Sequence, residues 1–351
     1  MNNSYGILID KNLLSRIPLA LKRKNLGNRY LIITDSNVKR LFGDKLLRLM
    51  KKKGLKADIL SFKAGEQNKN LNTFSNLIEK TYKLGLDRKS AIIALGGGVV
   101  GDIAGFVAAS YMRGINYIQI PTSLLAMVDS SIGGKVAVDL KLGKNMVGNF
   151  YQPKQVYIDV SLLKTLPKKE VINGMAEIIK HALIKDLTLF NYTKKNLSKI
   201  MSKDEKTLIR IIKRSCQIKA EVVGKDEKES GLRKILNYGH TIGHAIEQLT
   251  GYKKYSHGEA ILVGMMVEGL VSNKIGMLSK KDLLKQNKLI KEITSIKLPN
   301  INTSKIINEL KKDKKAIWGR IEFVLLEKIG KVRHSVKVPN DMINYAIQKS
   351  K

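Results

Sequence analysis

The sequence predicts an α/β domain built on a parallel sheet, followed by a mostly α-helical domain. Three observations carry this prediction. In the first half, short β-rich runs alternate with helical stretches, the pattern of a parallel sheet with crossover helices. From Pro167 onward the texture changes to long helical segments, and only IEFVLLEKIG near the end is strand-like. A chain of 351 residues that is 43% hydrophobic can fill two cores.

The elements follow in order. YLIITD (Tyr30 to Asp35) is an apolar run ending in an acid. KADILSF is the next strand, and the amphipathic LNTFSNLIEKTYKLG is a helix. AIIAL enters a glycine turn, NYIQIPT is a further strand, and KQVYIDV, ending at Val160, closes this half. The helical half contains KKEVINGMAEIIKHALIKD, KTLIRIIKRSCQIKAEVVGKD, RKILNYGHTIGHAIEQL and GEAILVGMMVEGLVSNKIG. The boundary is placed near Val160, giving an α/β domain over 1–160 and a helical domain over 161–351.

Composition narrows the function classes. The single Cys216 rules out an internal disulfide and suits a reducing cytoplasm. MNNSYGILIDKNLLSRIP lacks an apolar core followed by a small-residue cleavage site, so no signal peptide is expected. The stretch from Ala91 to Met112 is long enough to suggest a membrane span, but it carries Asp102 and five glycines. A buried strand, a glycine turn and a buried helix account for it, and no membrane association is expected. The net charge of +34 invites a nucleic-acid reading. The lysines are scattered through every segment, however, and are not interleaved with aromatics. Compositional drift toward lysine, isoleucine and asparagine explains them, and no specific nucleic acid is expected. The charge should still draw anionic ligands inward.

GGGVVGD, from Gly96 to Asp102, lies between a predicted strand and a predicted helix. Glycines there let the backbone approach a ligand, and the helix N-terminus offers N–H groups to a pyrophosphate. The spacing is not GxGxxG, so a tight strand-to-helix turn explains it equally well. Asp35, at a strand end, is placed to accept hydrogen bonds from ribose hydroxyls, which favours NAD over NADP. Glu66 and Lys69 share the GEQNK loop.

Three of the five histidines cluster: His240 and His244 in NYGHTIGHAIE and His257 in SHGEA. Histidine binds divalent metals as a neutral ligand. The i,i+4 pair would share one helix face, which polar core residues also do. Glu259 after His257, and Glu177 on the apolar helix NGMAEIIKHALI, favour a metal site. Residue spacing leaves Glu177, His181, His240, His244 and His257 all open as ligands.

GGGVVGDIAGFVAASYMRG, IPTSLLAMVDSSIGGK, LGKNMVGNFYQP, GMAEIIKHALI, RKILNYGHTIGHAIE, SHGEA and DKK, in this order, resemble the 3-dehydroquinate synthase family. The likeness covers nearly the whole chain. It implies a Rossmann-like N-terminal domain, an α-helical C-terminal domain and an active site in the cleft between them. It also implies a lyase that uses NAD and one divalent metal, Zn2+ or Co2+. That enzyme converts 3-deoxy-D-arabino-heptulosonate 7-phosphate to 3-dehydroquinate and phosphate in the shikimate pathway. The steps would be transient oxidation, phosphate elimination, reduction, ring opening and aldol closure. Rivals on the same fold are other sugar phosphate cyclases and metal-dependent polyol or polyol-phosphate dehydrogenases. Relatives of this kind imply a homodimer, with Arg113 reaching the neighbouring subunit's site.

Carried over motif by motif, the resemblance implies Glu177, His240 and His257 as metal ligands. It gives the cofactor Asp35, Ala64, Gly65, Glu66, Gln67, Asn68 and Lys69, then Gly98, Val99, Val100, Gly101 and Asp102. Thr122, Ser123, Lys135, Lys144, Leu162, Leu163, Lys164 and Thr165 complete that set. Substrate contacts would be Arg113, Asp129, Lys135, Asn145, Lys180, Lys219, Arg233, Asn237, His244 and Lys314, with Glu229 as polar support. Ala64 and Ser123 stand where relatives often carry another residue. Chemically, Arg233 offers a planar fork for a carboxylate, and Lys135, Lys180 and Lys314 are point charges for phosphate.

Overall fold

The computed structural model describes residues 4–312 and 321–350. The chain divides into two compact units on either side of the Leu166–Pro167 bond.

The first unit runs β1 (Gly6–Asp10), α1 (Ile17–Lys24), β2 (Tyr30–Asp35), α2 (Ser36–Val38), α3 (Asp44–Lys52) and β3 (Ala57–Phe62). It continues with α4 (Leu71–Lys83), β4 (Ala91–Gly96), α5 (Gly98–Ser110), β5 (Asn116–Pro121), β6 (Lys135–Leu140), β7 (Gly143–Phe150) and β8 (Gln155–Asp159). Six strands form one sheet in the order β1-β8-β5-β4-β2-β3, and every pairing in it is parallel. Strands β2 and β4 are buried along nearly their whole length, which is why they read as unbroken apolar runs. Leu31, Ile33, Ile92 and Ala94 pack against Val100, Ile103 and Val107 of α5.

Chain order reverses at the centre of this sheet. From β2 the chain moves outward to β3, and from β4 it moves the other way to β5 and β8. In open α/β sheets the crevice at the carboxyl ends of such neighbouring strands is where ligands bind. The six-residue 3-10 turn Val160–Thr165 follows β8 directly and stays with this unit, so the division lies beyond Val160. Several features were not assigned from sequence, among them the helices α1 to α3 and three strands. β1 is a short edge strand, and β6 and β7 form an antiparallel hairpin outside the main sheet. Glycine and polar residues in β7 hide its alternation.

The second unit contains α6 (Lys168–Lys185), α7 (Leu187–Lys195), α8 (Leu197–Met201), α9 (Glu205–Lys225), α10 (His240–Leu249) and α11 (His257–Lys274). α12 (Lys280–Ile293), α13 (Thr303–Lys312), the hairpin β9 (Glu322–Lys328) and β10 (Lys331–Lys337), and α14 (Asn340–Lys349) follow. α6 is buried from Asn173 to Ile184 and α11 along most of its length, as expected of helices apolar all round. β10 corrects the expectation of a single strand-like run here: KVRHSVK is too polar to signal a strand, but it pairs with buried β9.

RKILNYGHTIGHAIEQL also departs from one continuous helical segment. A 3-10 turn over Leu232–Asn237 ends before Gly239, whose φ of +81° lies in the left-handed region, and α10 starts afresh at His240. The glycine makes the break possible. Among the described residues, no helix is long and apolar enough to cross a membrane.

Candidate active site

In the second unit, three residues far apart in sequence meet. Glu177 comes from the middle of α6, His240 opens α10 and His257 opens α11. Each offers one ligand atom, and the three atoms lie within 4.8 Å of one another. Both imidazole Nε2 atoms face the same carboxylate oxygen, Glu177 Oε1, at 3.7 Å from His240 and 3.8 Å from His257.

Hydrogen bonds behind the rings set their tautomers. His240 Nδ1 lies 3.2 Å from the Tyr238 carbonyl, which can only accept, so Nδ1 carries the proton. His257 Nδ1 lies 3.3 Å from Glu247 Oε2, again an acceptor. Each Nε2 therefore turns its lone pair toward Glu177. Holding a ligand's other ring nitrogen in this way is how proteins orient metal-binding histidines. Burial disfavours charge on His257, but Glu247 and Glu177 outweigh it and raise the ring's pKa.

Glu177 is fully buried. Its Oε2 accepts from the Lys180 ammonium, one turn along the same helix, while Oε1 has no hydrogen-bond partner. A buried oxygen left so costs about 1–3 kcal/mol. While both rings are neutral, as metal ligands must be, they cannot relieve it, because both present lone pairs to it. A cation among the three does, and two histidines with one carboxylate suit zinc or cobalt with positions left for a substrate. The donor set fits a divalent ion.

His244, Glu247 and His257 form a second group of ligand atoms within the same limit. Glu247 meets His257 through Nδ1 and leaves Nε2 to face Glu177, so we assign Glu247 to orientation. Glu259 does not join either group. It closes a capping box at the start of α11, where its Oε2 accepts from Ser256 N at 2.8 Å. Its place beside His257 in sequence suggested a metal role, and the structure corrects this.

In the same unit Lys180, Lys219 and Arg233 are at most 6% exposed, which sets them apart from the many surface lysines. Arg233 donates through Nη1 to the Glu227 carbonyl. Asn237 Nδ2 donates to Glu229 Oε1 at 2.8 Å, and Glu229 itself has a left-handed φ of +62°. The His244 ring centroid lies 5.3 Å from that of His240 and 6.2 Å from that of His257. His181 is buried on α6. Lys314 lies outside the described residues.

In the first unit the cofactor candidates share one edge of the sheet. Asp35 ends β2, Ala64 to Lys69 follow β3, Gly98 to Asp102 open α5 after β4, Thr122 and Ser123 follow β5, and Leu162 to Thr165 follow β8. Because these strands are parallel, all five groups come to the carboxyl end of the sheet. The glycines of the turn divide by purpose. A Cβ on Gly96 would lie 2.5 Å from Val100 Cβ and one on Gly105 would lie 2.4 Å from Val136 Cγ1, so packing demands glycine there. A Cβ on Gly97 would meet only the Ser123 side chain, Oγ at 3.4 Å and Cβ at 3.9 Å, both ordinary contacts. Packing therefore leaves that glycine unexplained, whereas a pyrophosphate lying against the backbone at the N-terminus of α5 accounts for it.

The polar residues of this edge are tied together. Lys69 Nζ donates to Asp102 Oδ2 and to Asn145 Oδ1, both at 2.5 Å, and Asn145 N donates to Asp139 Oδ1 at 2.7 Å. Burial lowers the Lys69 pKa, but Asp102 and Glu66 more than offset it, and the ammonium stays protonated. Lys144 reaches Glu66 at 3.5 Å. Asp35 also has a local task that sequence did not reveal: its Oδ1 accepts from Asn37 N and Val38 N, capping α2. Asp129 sits in the turn Ala126–Ser130, Lys135 opens β6, and Arg113 occupies a left-handed turn after α5 at φ +68°.

Comparison with known proteins identifies the chain's relatives. The model of the 3-dehydroquinate synthase N-terminal domain matches residues 59–173, and that of the C-terminal domain matches 174–316. The chain belongs to the 3-dehydroquinate synthase family. A 3-dehydroquinate synthase of Thermodesulfovibrio yellowstonii is 48% identical over 340 residues, covering 96% of this chain and 95% of the relative. A 2-deoxy-scyllo-inosose synthase solved with carbaglucose-6-phosphate, NAD+ and Co2+ superposes with a TM-score of 0.91 at 30% identity, covering 99% of this chain and 97% of the other. A 2-epi-5-epi-valiolone synthase from Streptomyces hygroscopicus subsp. jinggangensis, solved with NAD+ and Zn2+, superposes at 0.90 with 26% identity, covering 99% and 96%. Within the 3-dehydroquinate synthase family reading, Glu247, Asn173 and Asp226 are the residues that sequence reasoning missed. Asn173 Oδ1 accepts from Gly258 N at 2.5 Å, holding the start of α11 beside His257. No spacing rule separates such supports from other buried polar residues.

Proposed function

We propose that the chain is a 3-dehydroquinate synthase, a phosphate-eliminating cyclase that uses NAD and one divalent cation. The observation that carries the proposal is Glu177 Oε1, buried without a hydrogen-bond partner and faced by His240 Nε2 and His257 Nε2. The relative at 48% identity supports this substrate over those of the cyclases that share the fold at 26–32%.

In this reading Glu177, His240 and His257 hold the cation, which when bound polarises a substrate hydroxyl so that hydride can pass to NAD. Lys180 keeps Oε2 of Glu177 occupied and so directs Oε1 to the ion. Arg233, buried and planar, takes the substrate carboxylate in a bidentate grip. Lys219 adds positive charge for the anionic substrate. Asp35 and the Gly98 to Asp102 turn receive NAD, and the Lys69 ammonium fixes Asp102 and Asn145. Bound NAD would supply a reversible oxidation there: a transient ketone would acidify the adjacent C–H so that phosphate can leave, and the cofactor would end the cycle as NAD. Redox is therefore balanced within one turnover, and the phosphate group of the substrate itself serves as base. The chain's residues chiefly hold the substrate in a productive shape.

The reading includes a homodimer in which the Arg113 turn serves a neighbouring subunit, checked by sedimentation. It also includes a cytoplasmic setting, which the lone Cys216 supports. The deciding assay supplies the heptulosonate phosphate, catalytic NAD and zinc, and follows phosphate release together with dehydroquinate absorbance. One phosphate per dehydroquinate without net NADH is expected, and His257→Ala is expected to abolish turnover and lose zinc. NADH accumulating with a simple polyol instead would make the chain a dehydrogenase. Full turnover in a chelator-treated, metal-free sample would overturn the metal assignment.

A further inference from the structure

The helix that carries His240 has no cap of its own. Its N-cap residue is Gly239, which supplies no side chain. None fits there: a Cβ on Gly239 would stand 2.5 Å from Met265 Cγ and 2.9 Å from the Ile261 carbonyl oxygen. The facing helix is as tightly constrained, since a Cβ on Gly264 would lie 2.0 Å from the Gly239 carbonyl oxygen. The first-turn N–H groups of α10 nevertheless need acceptors in this interior.

The acceptor comes across the contact. Glu268, on α11 and 0% exposed, accepts from Gly239 N at 2.6 Å through Oε2 and from Ile242 N at 3.1 Å through Oε1. Its two oxygens bracket the segment that carries His240. The pairing uses both oxygens and the charge: glutamine would offer a single acceptor and set its amide donors against a backbone donor. A negative charge at this place also faces the positive end of the helix dipole. Tyr238, whose carbonyl orients His240, is held on its other side, where its hydroxyl donates to Gln286 Oε1 at 2.6 Å and Gln286 Nε2 donates to the Met265 carbonyl at 2.8 Å.

We propose that Glu268 is a positioning residue for the metal centre: it clamps the start of α10 to α11, the helix that begins with His257, and so fixes the span between the two imidazoles around Glu177. The inference rests on the reading of Glu177, His240 and His257 as the cation's ligands. A structural cap alone would add stability. A positioning residue must also set how well the three donors match one ion, and supporting residues of this kind change metal affinity about 10–100-fold.

The test uses the purified full chain as wild type, Glu268→Gln, Glu268→Asp and His240→Ala. Zn2+ affinity is measured by competition with a chromophoric chelator, and the visible absorption of the Co2+-loaded protein reports ligand geometry. Glu268→Gln is expected to weaken Zn2+ binding about ten-fold or more and to alter the Co2+ bands, with NAD affinity unchanged. A lower melting temperature with wild-type Zn2+ affinity and Co2+ bands would overturn the proposal. If the glutamine variant does not fold, Glu268→Asp decides: it keeps the charge but falls short of one N–H, so weakened Zn2+ binding supports the proposal and unchanged binding overturns it. Equal Zn2+ binding by wild type and His240→Ala would bring down the ligand assignment and this inference together. Loss of binding in His240→Ala beside unchanged Glu268 variants would bring down this inference alone.

Discussion

The two oxygens of Glu177 differ in their surroundings: one accepts from Lys180, and the other faces two imidazole nitrogens whose protons lie on the far side of each ring. Glu247 produces half of that arrangement. Glu247→Gln should remove the charge that favours Nδ1–H on His257 and weaken Zn2+ binding about 10–100-fold, read by chelator competition, with NAD binding retained. Unchanged affinity would reduce Glu247 to packing. Arg233 is the other residue whose burial is informative, because a guanidinium 2% exposed among so many solvated cations has a specific task. Arg233→Ala should raise the substrate KM strongly and leave the NAD dissociation constant as it was. Equal weakening of both would argue against a carboxylate role. At this scale the sequence was legible only through motif resemblance. Glu259 drew notice because it adjoins His257, but helix geometry turns it into a cap.

Loops and helix ends carry much of the site. Asp226 organises the loop that presents Glu229 and Arg233: Oδ1 accepts from Ser230 N at 2.9 Å, while Oδ2 accepts from Gly231 N at 2.7 Å and Arg233 N at 2.9 Å. The Arg233 and Gly231 N–H groups chief among these hold its carboxyl well below the usual carboxylate range. A depressed pKa contributes stability that is present above the unfolded value, about 4, and is lost as pH falls through the folded value. The stability gap between wild type and Asp226→Asn should therefore be full at pH 7 and shrink at pH values below about 4, as followed by thermal unfolding at several pH values. A gap independent of pH would assign the effect to packing. Apolar periodicity and glycine placement predicted the buried strands and long helices. The break at Gly239 escaped because one glycine inside a helical pattern reads as a tolerated defect. The β6–β7 hairpin escaped because its residues lack a clean alternation.

For the whole molecule, the net charge of +34 acts at long range whatever its origin. The proposed substrate is an anion, so kcat/KM should fall severalfold as ionic strength rises from about 0.01 M to 0.15 M, where the screening length shrinks from about 30 Å to 8 Å. A flat dependence would show that the charge is inert in turnover. Alternating β and helical runs required a parallel sheet, and a parallel sheet gathers whatever follows its strands at one edge. That is why Asp35, Lys69, Gly98, Thr122 and Thr165 come together although they are spread over more than a third of the chain.

The sequence by itself determined the two-part architecture, the buried strands and the family motifs, because hydrophobic periodicity and glycine placement are local and survive in a string of letters. It could not choose among Glu177, His181, His240, His244 and His257, since helical spacing favours i,i+4 neighbours. Only tertiary structure decided that Glu177 on α6 meets the first residues of α10 and α11, and that buried Glu247 and Glu268 stand behind them. Contacts between helices depend on packing angles and close approach, here through Gly239 and Gly264, and no periodicity along one chain encodes which faces will meet.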